Sequence, residues 1–124
     1  MTPAQLRRLC LRFAGAEETF PFGPETSVFK VRGKMFALAQ LERKPLKVSV
    51  KCEPELAVEL RSSYDAVRPG YHLNKRHWNT VTLNAGVSDQ LVREMIEDSY
   101  DLVVSALPRR TREQLGWRAL AEGG

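Results

Sequence analysis

The feature that most constrains this chain is the pattern between residues 27 and 52. Three short apolar segments follow one another there, separated by only two to four turn residues. Connections that tight join antiparallel strands, because a parallel crossover needs a dozen residues or more. Residues 27–32 alternate, with Phe29 and Val31 on one face and Val28, Lys30 and Arg32 on the other. Gly33-Lys34 reads as a two-residue turn, with Gly first as a type II′ turn prefers. Residues 35–41 are apolar enough for a central strand, and Glu42-Arg43-Lys44-Pro45 turns the chain again. Residues 46–52 then alternate Val48, Val50 and Cys52 inward with Lys47, Ser49 and Lys51 outward.

Helical signals flank this block. Thr2-Pro3-Ala4-Gln5 has the form of a capping box with proline at the first helical position, and Leu6, Leu9, Cys10 and Phe13 recur at helical spacing. Residues 15–26, centred on Pro21-Phe22-Gly23-Pro24, read as an entry loop. Glu53-Pro54-Glu55 opens a second helix, with Leu56, Ala57 and Leu60 as its apolar face and an end near Ser62. Residues 64–69 form a short strand closed by Pro69-Gly70. Residues 77–83 form another, with Val81 and Leu83 inward, Asn79 inward and hydrogen-bonded to a loop backbone, and Trp78, Thr80 and Thr82 outward. Ser88 caps the longest helix, whose stripe of Leu91, Val92, Met95, Ile96, Ser99, Leu102, Val103 and Ala106 needs a core to cover it. The expected fold is α+β in two layers: a five-stranded antiparallel sheet with helices on one face, in the order αβββαββα. One domain over residues 1–108 is expected, followed by a basic tail or weak helix over 109–124. A chain of 124 residues holds one such core without staples.

A sheet covered on one side leaves the other to solvent. The charge distribution marks that second face. The whole chain carries a net charge of +4, but residues 28–51 hold seven basic residues against Glu42 alone. Arg61, Arg68, Lys75 and Arg76 stand against Asp65 in the next strand region, while the two later helices are acidic. A basic sheet side opposite an acidic helix layer suits a phosphate backbone. Lys30, Arg32, Lys34, Lys47, Lys51, Lys75, Arg76 and His77 are the expected contacts, with Ser and Thr hydroxyls as donors and Trp78 stacking on or wedging between bases. Tyr71, in Pro69-Gly70-Tyr71-His72, reads as an aromatic anchor packed on the core.

Other chemistries find little here. His72 and His77 have no clear third ligand, and Cys10 and Cys52 lack metal spacing, so no metal and no cofactor are expected. Both cysteines fall on apolar faces and read as reduced core residues, as in a cytosolic protein. No nucleophile elbow, phosphate-binding loop or dinucleotide fingerprint occurs, and adjacent acids such as Glu17-Glu18 do not converge on one point. The N-terminal stretch carries Arg7, Arg8 and Arg12 within its apolar pattern, unlike a signal peptide, and nothing approaches a membrane span. A non-enzymatic, monomeric protein is the expectation.

An ordered set of short motifs sharpens it: Pro21-Phe22-Gly23, Phe29-Lys30-Val31-x-Gly33-Lys34-Met35-Phe36-Ala37, Val48-Ser49-x-Lys51-Cys52, Pro69-Gly70-Tyr71-His72-x-Asn74-Lys75-x-His77-Trp78-Asn79-Thr80-Val81, and Asp98-Ser99-Tyr100-Asp101-Leu102-Val103. Together these resemble the MmcQ/YjbR family of small bacterial proteins, over roughly residues 3–108. The resemblance implies a fold similar to type III secretion chaperones and the frataxin-like group. It also implies DNA binding through a "double wing" arrangement, and brings no catalytic set. A protein-interaction module on the same sheet face, or small-molecule binding between the Pro-Gly-Tyr-His loop and the sheet, are the alternatives.

Overall fold

The computed structural model describes residues 1–116. Its elements run α1 (Pro3–Leu11), β1 (Ala16–Thr19), β2 (Ser27–Val31), β3 (Lys34–Ala39), β4 (Lys47–Lys51), α2 (Pro54–Ser63), β5 (Val67–Pro69), β6 (Trp78–Thr82), α3 (Asp89–Ser105) and α4 (Arg109–Gln114). The strands form one antiparallel sheet in the order β1-β2-β3-β4-β6-β5. The sheet therefore has six strands, not five. The extra one is β1, which lies inside the segment read as an entry loop. Its sequence Ala-Glu-Glu-Thr lacks apolar alternation because it is an edge strand, held by its ladder to β2.

Register assigns the faces. Phe29, Ala37, Val50 and Asn79 align across four strands, as do Ala39, Val48, Val81 and Val67. These share a core with Leu6, Leu9 and Cys10 of α1 and with Val92, Met95, Ile96, Tyr100, Val103 and Val104 of α3. The helices thus lie on one face, as the apolar patterning predicts. The two caps form as read: the Gln5 N–H donates to Thr2 Oγ1 at 3.1 Å, the Thr2 N–H donates to Gln5 Oε1 at 2.8 Å, and the Leu91 N–H donates to Ser88 Oγ at 3.1 Å.

Two local features depart from simple alternation. Between β2 and β3 the register shifts, so that Phe29 pairs with Ala37 but Lys30 pairs with Met35, leaving Phe36 as the extra residue of a bulge. Phe36 turns into the core against Phe13 and Tyr100, at centroid separations of 5.8 and 5.4 Å. The β2–β3 turn is also displaced by one residue from the reading. Val31 pairs with Lys34, so Arg32 and Gly33 are its central residues, with φ of 49° and 79°. Two positive φ values make a type I′ turn rather than type II′.

Within 109–116 the chain forms α4, and Leu115 packs against the core, its Cδ2 only 2.6 Å from where a Cβ on Gly15 would sit. The remaining residues, 117–124, of the segment read as a tail or weak helix lie outside the described residues. Among the described residues, no helix is long and apolar enough to cross a membrane.

Candidate nucleic-acid interface

The face opposite the helices is read off the ladder. Lys47 pairs with Thr82, Ser49 with Thr80 and Lys51 with Trp78, so all six share the outer face, as the alternation predicts. Lys30 is there too, opposite Met35 on one side and Glu17 on the other. Glu17 comes with the sixth strand: β1 brings an acid beside Lys30. Arg68, opposite Thr80, adds a cation that the sequence reading did not assign to the site.

Two expected contacts sit elsewhere. Arg32 is not a strand residue pointing outward; it occupies the left-handed turn, near enough to Tyr100 on the helix side to oppose the rise in that phenol's pKa. Burial is the larger influence there and raises the pKa, with Asp101 adding to it. Lys34 aligns with Val31, which belongs to the core face, so its side chain leaves the sheet end on the helix side. The hydroxyls also differ from expectation. Ser49 is buried, its Oγ is 2.8 Å from Thr80 Oγ1, and the Tyr71 N–H donates to that same Thr80 oxygen at 3.2 Å. These two groups are engaged with protein rather than offered to phosphate.

The segment between β5 and β6 builds the rest of the site. The Gly70 N–H donates to the Trp78 carbonyl at 2.8 Å, bringing the backbones so close that a Cβ on Gly70 would lie 2.7 Å from Trp78 Cβ. Asn74 organises the return: its Oδ1 accepts from the N–H groups of Arg76 and His77 at 2.9 and 3.3 Å, and its carbonyl accepts from Trp78 at 2.9 Å. The Lys75 Nζ donates to the Gly70 carbonyl at 3.2 Å, and the Arg61 Nη1 of α2 donates to the Lys75 carbonyl at 2.8 Å. Lys75 and Arg76 are exposed, while His77 and Trp78 are half-buried. Tyr71, expected on the core, is 72% exposed, because its backbone, not its ring, is what the sheet holds.

Lys51 is fixed from behind. The bulge leaves the Phe36 carbonyl facing α3, and Ser99 Oγ donates to it at 2.6 Å while accepting from the Lys51 N–H at 2.8 Å. Asn79 is buried as expected, but its Nδ2 donates to the Ala57 carbonyl of helix α2 at 3.3 Å rather than to a loop. Beside it, Cys52, Leu60, Met95 and Asp98 line a void of about 10 Å³, room for about one water. Burial raises the Cys52 thiol and the Asp98 carboxyl, and neighbouring carboxylates add to both. The tyrosine loop lies directly on β6; a larger cleft of about 640 Å³ lies elsewhere, lined by Arg7, Glu18, Phe20, Gln40 and Arg43 among others. Among the described residues no group of three or more His, Cys, Asp or Glu could hold a metal ion.

A six-stranded antiparallel sheet with helices on one face and lysines on the other defines a two-layer α+β domain whose free surface is a sheet. The chain belongs to the YjbR family, whose model matches residues 11–102. It is 37% identical to YbdF of Escherichia coli O157:H7 over 88% of this chain and 89% of that one. It is 36% identical to YjbR of E. coli K12 over 93% and 98%. Both relatives are described only as uncharacterised proteins. The crystal structure of Deinococcus radiodurans DR2400 superposes with a TM-score of 0.88 at 41% identity, covering 94% of this chain and 89% of that one. A Pseudomonas syringae crystal structure gives 0.72 at 27% identity, over 82% of this chain and 98% of that one.

Proposed function

We propose that this protein is a non-enzymatic, monomeric DNA-binding protein that contacts phosphates with little sequence specificity. The observation that carries this reading is the Lys51–Trp78 cross-strand pair on the outer face, flanked by Lys47, Arg68, Lys75 and Arg76. Lysine and arginine neutralise phosphates and release counterions, which is how sequence-independent affinity arises. The described helices lie on the other face, so none of them projects from this surface into a groove to read bases. Lys30 contributes from the neighbouring strand, weakened by Glu17 opposite it.

The test is a salt titration of binding to labelled DNA. Contact with about 4–6 phosphates makes log K fall against log salt with a slope of about −4 to −5. In the double variant Lys47→Glu/Lys51→Glu the slope loses about two. An affinity that hardly changes with salt overturns the reading. It would then favour a second one, a protein-interaction surface on the same face, for which exposed Tyr71 and Arg76 in the segment leading into Trp78 are the supporting observation.

A further inference from the structure

We infer that the nucleic acid this face takes is single-stranded, with unpaired bases laid on Tyr71 and Trp78. This rests on the DNA-binding reading above and narrows it to one ligand class.

Tyr71 is 72% exposed in an otherwise closely bonded loop. It is not loose: its N–H is fixed to Thr80 Oγ1, and its ring lies 4.0 Å from the His72 ring, centroid to centroid. His72 adopts a φ of 57°, the left-handed conformation that reverses the chain at this point. An aromatic held by its backbone over the outer face loses little freedom on meeting a base. Trp78 stands on the same face of β6, two residues before the Thr80 that holds the Tyr71 backbone, so both aromatics belong to this one end of the outer face.

An aromatic ring held open to solvent decides between the two forms of DNA. In a duplex the bases of each strand are stacked about 3.4 Å apart and show only their edges. Reaching their faces requires unstacking them. A single strand offers its base faces without that step, and sheet-borne aromatics are a recurring way to stack them. The cations suit the same path. Lys51 lies directly across from Trp78, Arg68 across from Thr80, and Lys75 and Arg76 border the loop, so positive charge runs along both sides of the aromatics.

The experiment measures full-length chain binding, by fluorescence anisotropy, to labelled oligothymidine and to the same strand annealed to oligoadenine. The strand alone binds more tightly. Tyr71→Ala weakens the single-strand complex by about tenfold or more and leaves both the duplex affinity and the salt slope in place. Tyr71→Phe, which keeps the ring, restores the single-strand affinity. Equal or tighter duplex binding overturns the inference but leaves DNA binding standing, as does a Tyr71→Ala loss shared equally by both probes. Salt-insensitive or absent binding to both probes removes the DNA-binding reading along with it.

Discussion

Ser99 is the residue on which the geometry of the basic face most depends, although it lies on the opposite side of the sheet. Its hydroxyl satisfies two backbone groups that the β3 bulge and the end of β4 leave outside the ladder. Ser99→Ala leaves a buried carbonyl and an N–H unpaired, so the variant loses about 1–3 kcal/mol, read from its urea midpoint. Cys10 makes a different prediction, because its thiol has no partner to stabilise a charge. Burial, with a smaller contribution from Glu18, pushes its pKa up to about 12 from 9.0. Between those values the unfolded chain releases a proton that the folded chain keeps. The stability present below the lower value is therefore lost as pH rises through the higher one. The urea midpoint of the wild type falls between about pH 8 and about pH 11, and falls less steeply in Cys10→Ala.

Among the helices, α2 and α3 differ in how firmly they are held. The 17-residue α3 begins at a serine cap and buries seven side chains. The 10-residue α2 buries only Ala57, has no side-chain cap at Glu53, and leaves Leu56 and Val58 exposed. Beyond Ala57 and the partly buried Leu60 it is tied to the rest by single hydrogen bonds, from Asn79 to Ala57 and from Arg61 to Lys75. Amide hydrogen exchange followed by mass spectrometry therefore shows α2 exchanging at least about tenfold faster than the middle of α3, through local opening. Equal protection in the two helices would contradict this. The Arg61 bond makes the difference relevant to the site, since opening α2 withdraws the guanidinium that holds the Lys75 carbonyl.

At the scale of the molecule the net charge of +4 says less than its direction. Lys30, Lys47, Lys51 and Arg68 share one face of the sheet. The helices on the other side carry Glu53, Glu55 and Glu59 on or beside α2 and Asp89, Glu94, Glu97, Asp98 and Asp101 on α3. If binding is a property of the face, equal changes in total charge have unequal effects. Arg8→Glu/Arg93→Glu changes the net charge as much as Lys47→Glu/Lys51→Glu does, but at exposed helix positions. The helix variant keeps the wild-type salt slope while the sheet variant loses about two from it. Matching losses would mean that net charge alone governs binding.

Much of this arrangement is legible in local sequence, because period-two alternation and helix caps act over a few residues. The outward set of Lys30, Lys47, Lys51, Trp78, Thr80 and Thr82, the inward Asn79, and the starts at Thr2 and Ser88 all follow from such short-range rules. What those rules cannot carry is anything set by a partner distant in the chain. β1 exists because β2 offers it a ladder, and Glu18 sits within it because Arg7 and Ser27 hold its carboxylate at 2.7 and 2.8 Å. The bulge at Phe36 exists beside Ser99, 63 residues away, and it shifts the pairing that makes Arg32 a turn residue. Tyr71 is exposed because Thr80, nine residues on, binds its backbone and leaves its ring open to solvent. Alternation alone determined which face is basic; contacts between distant segments decided which of its residues are free to bind.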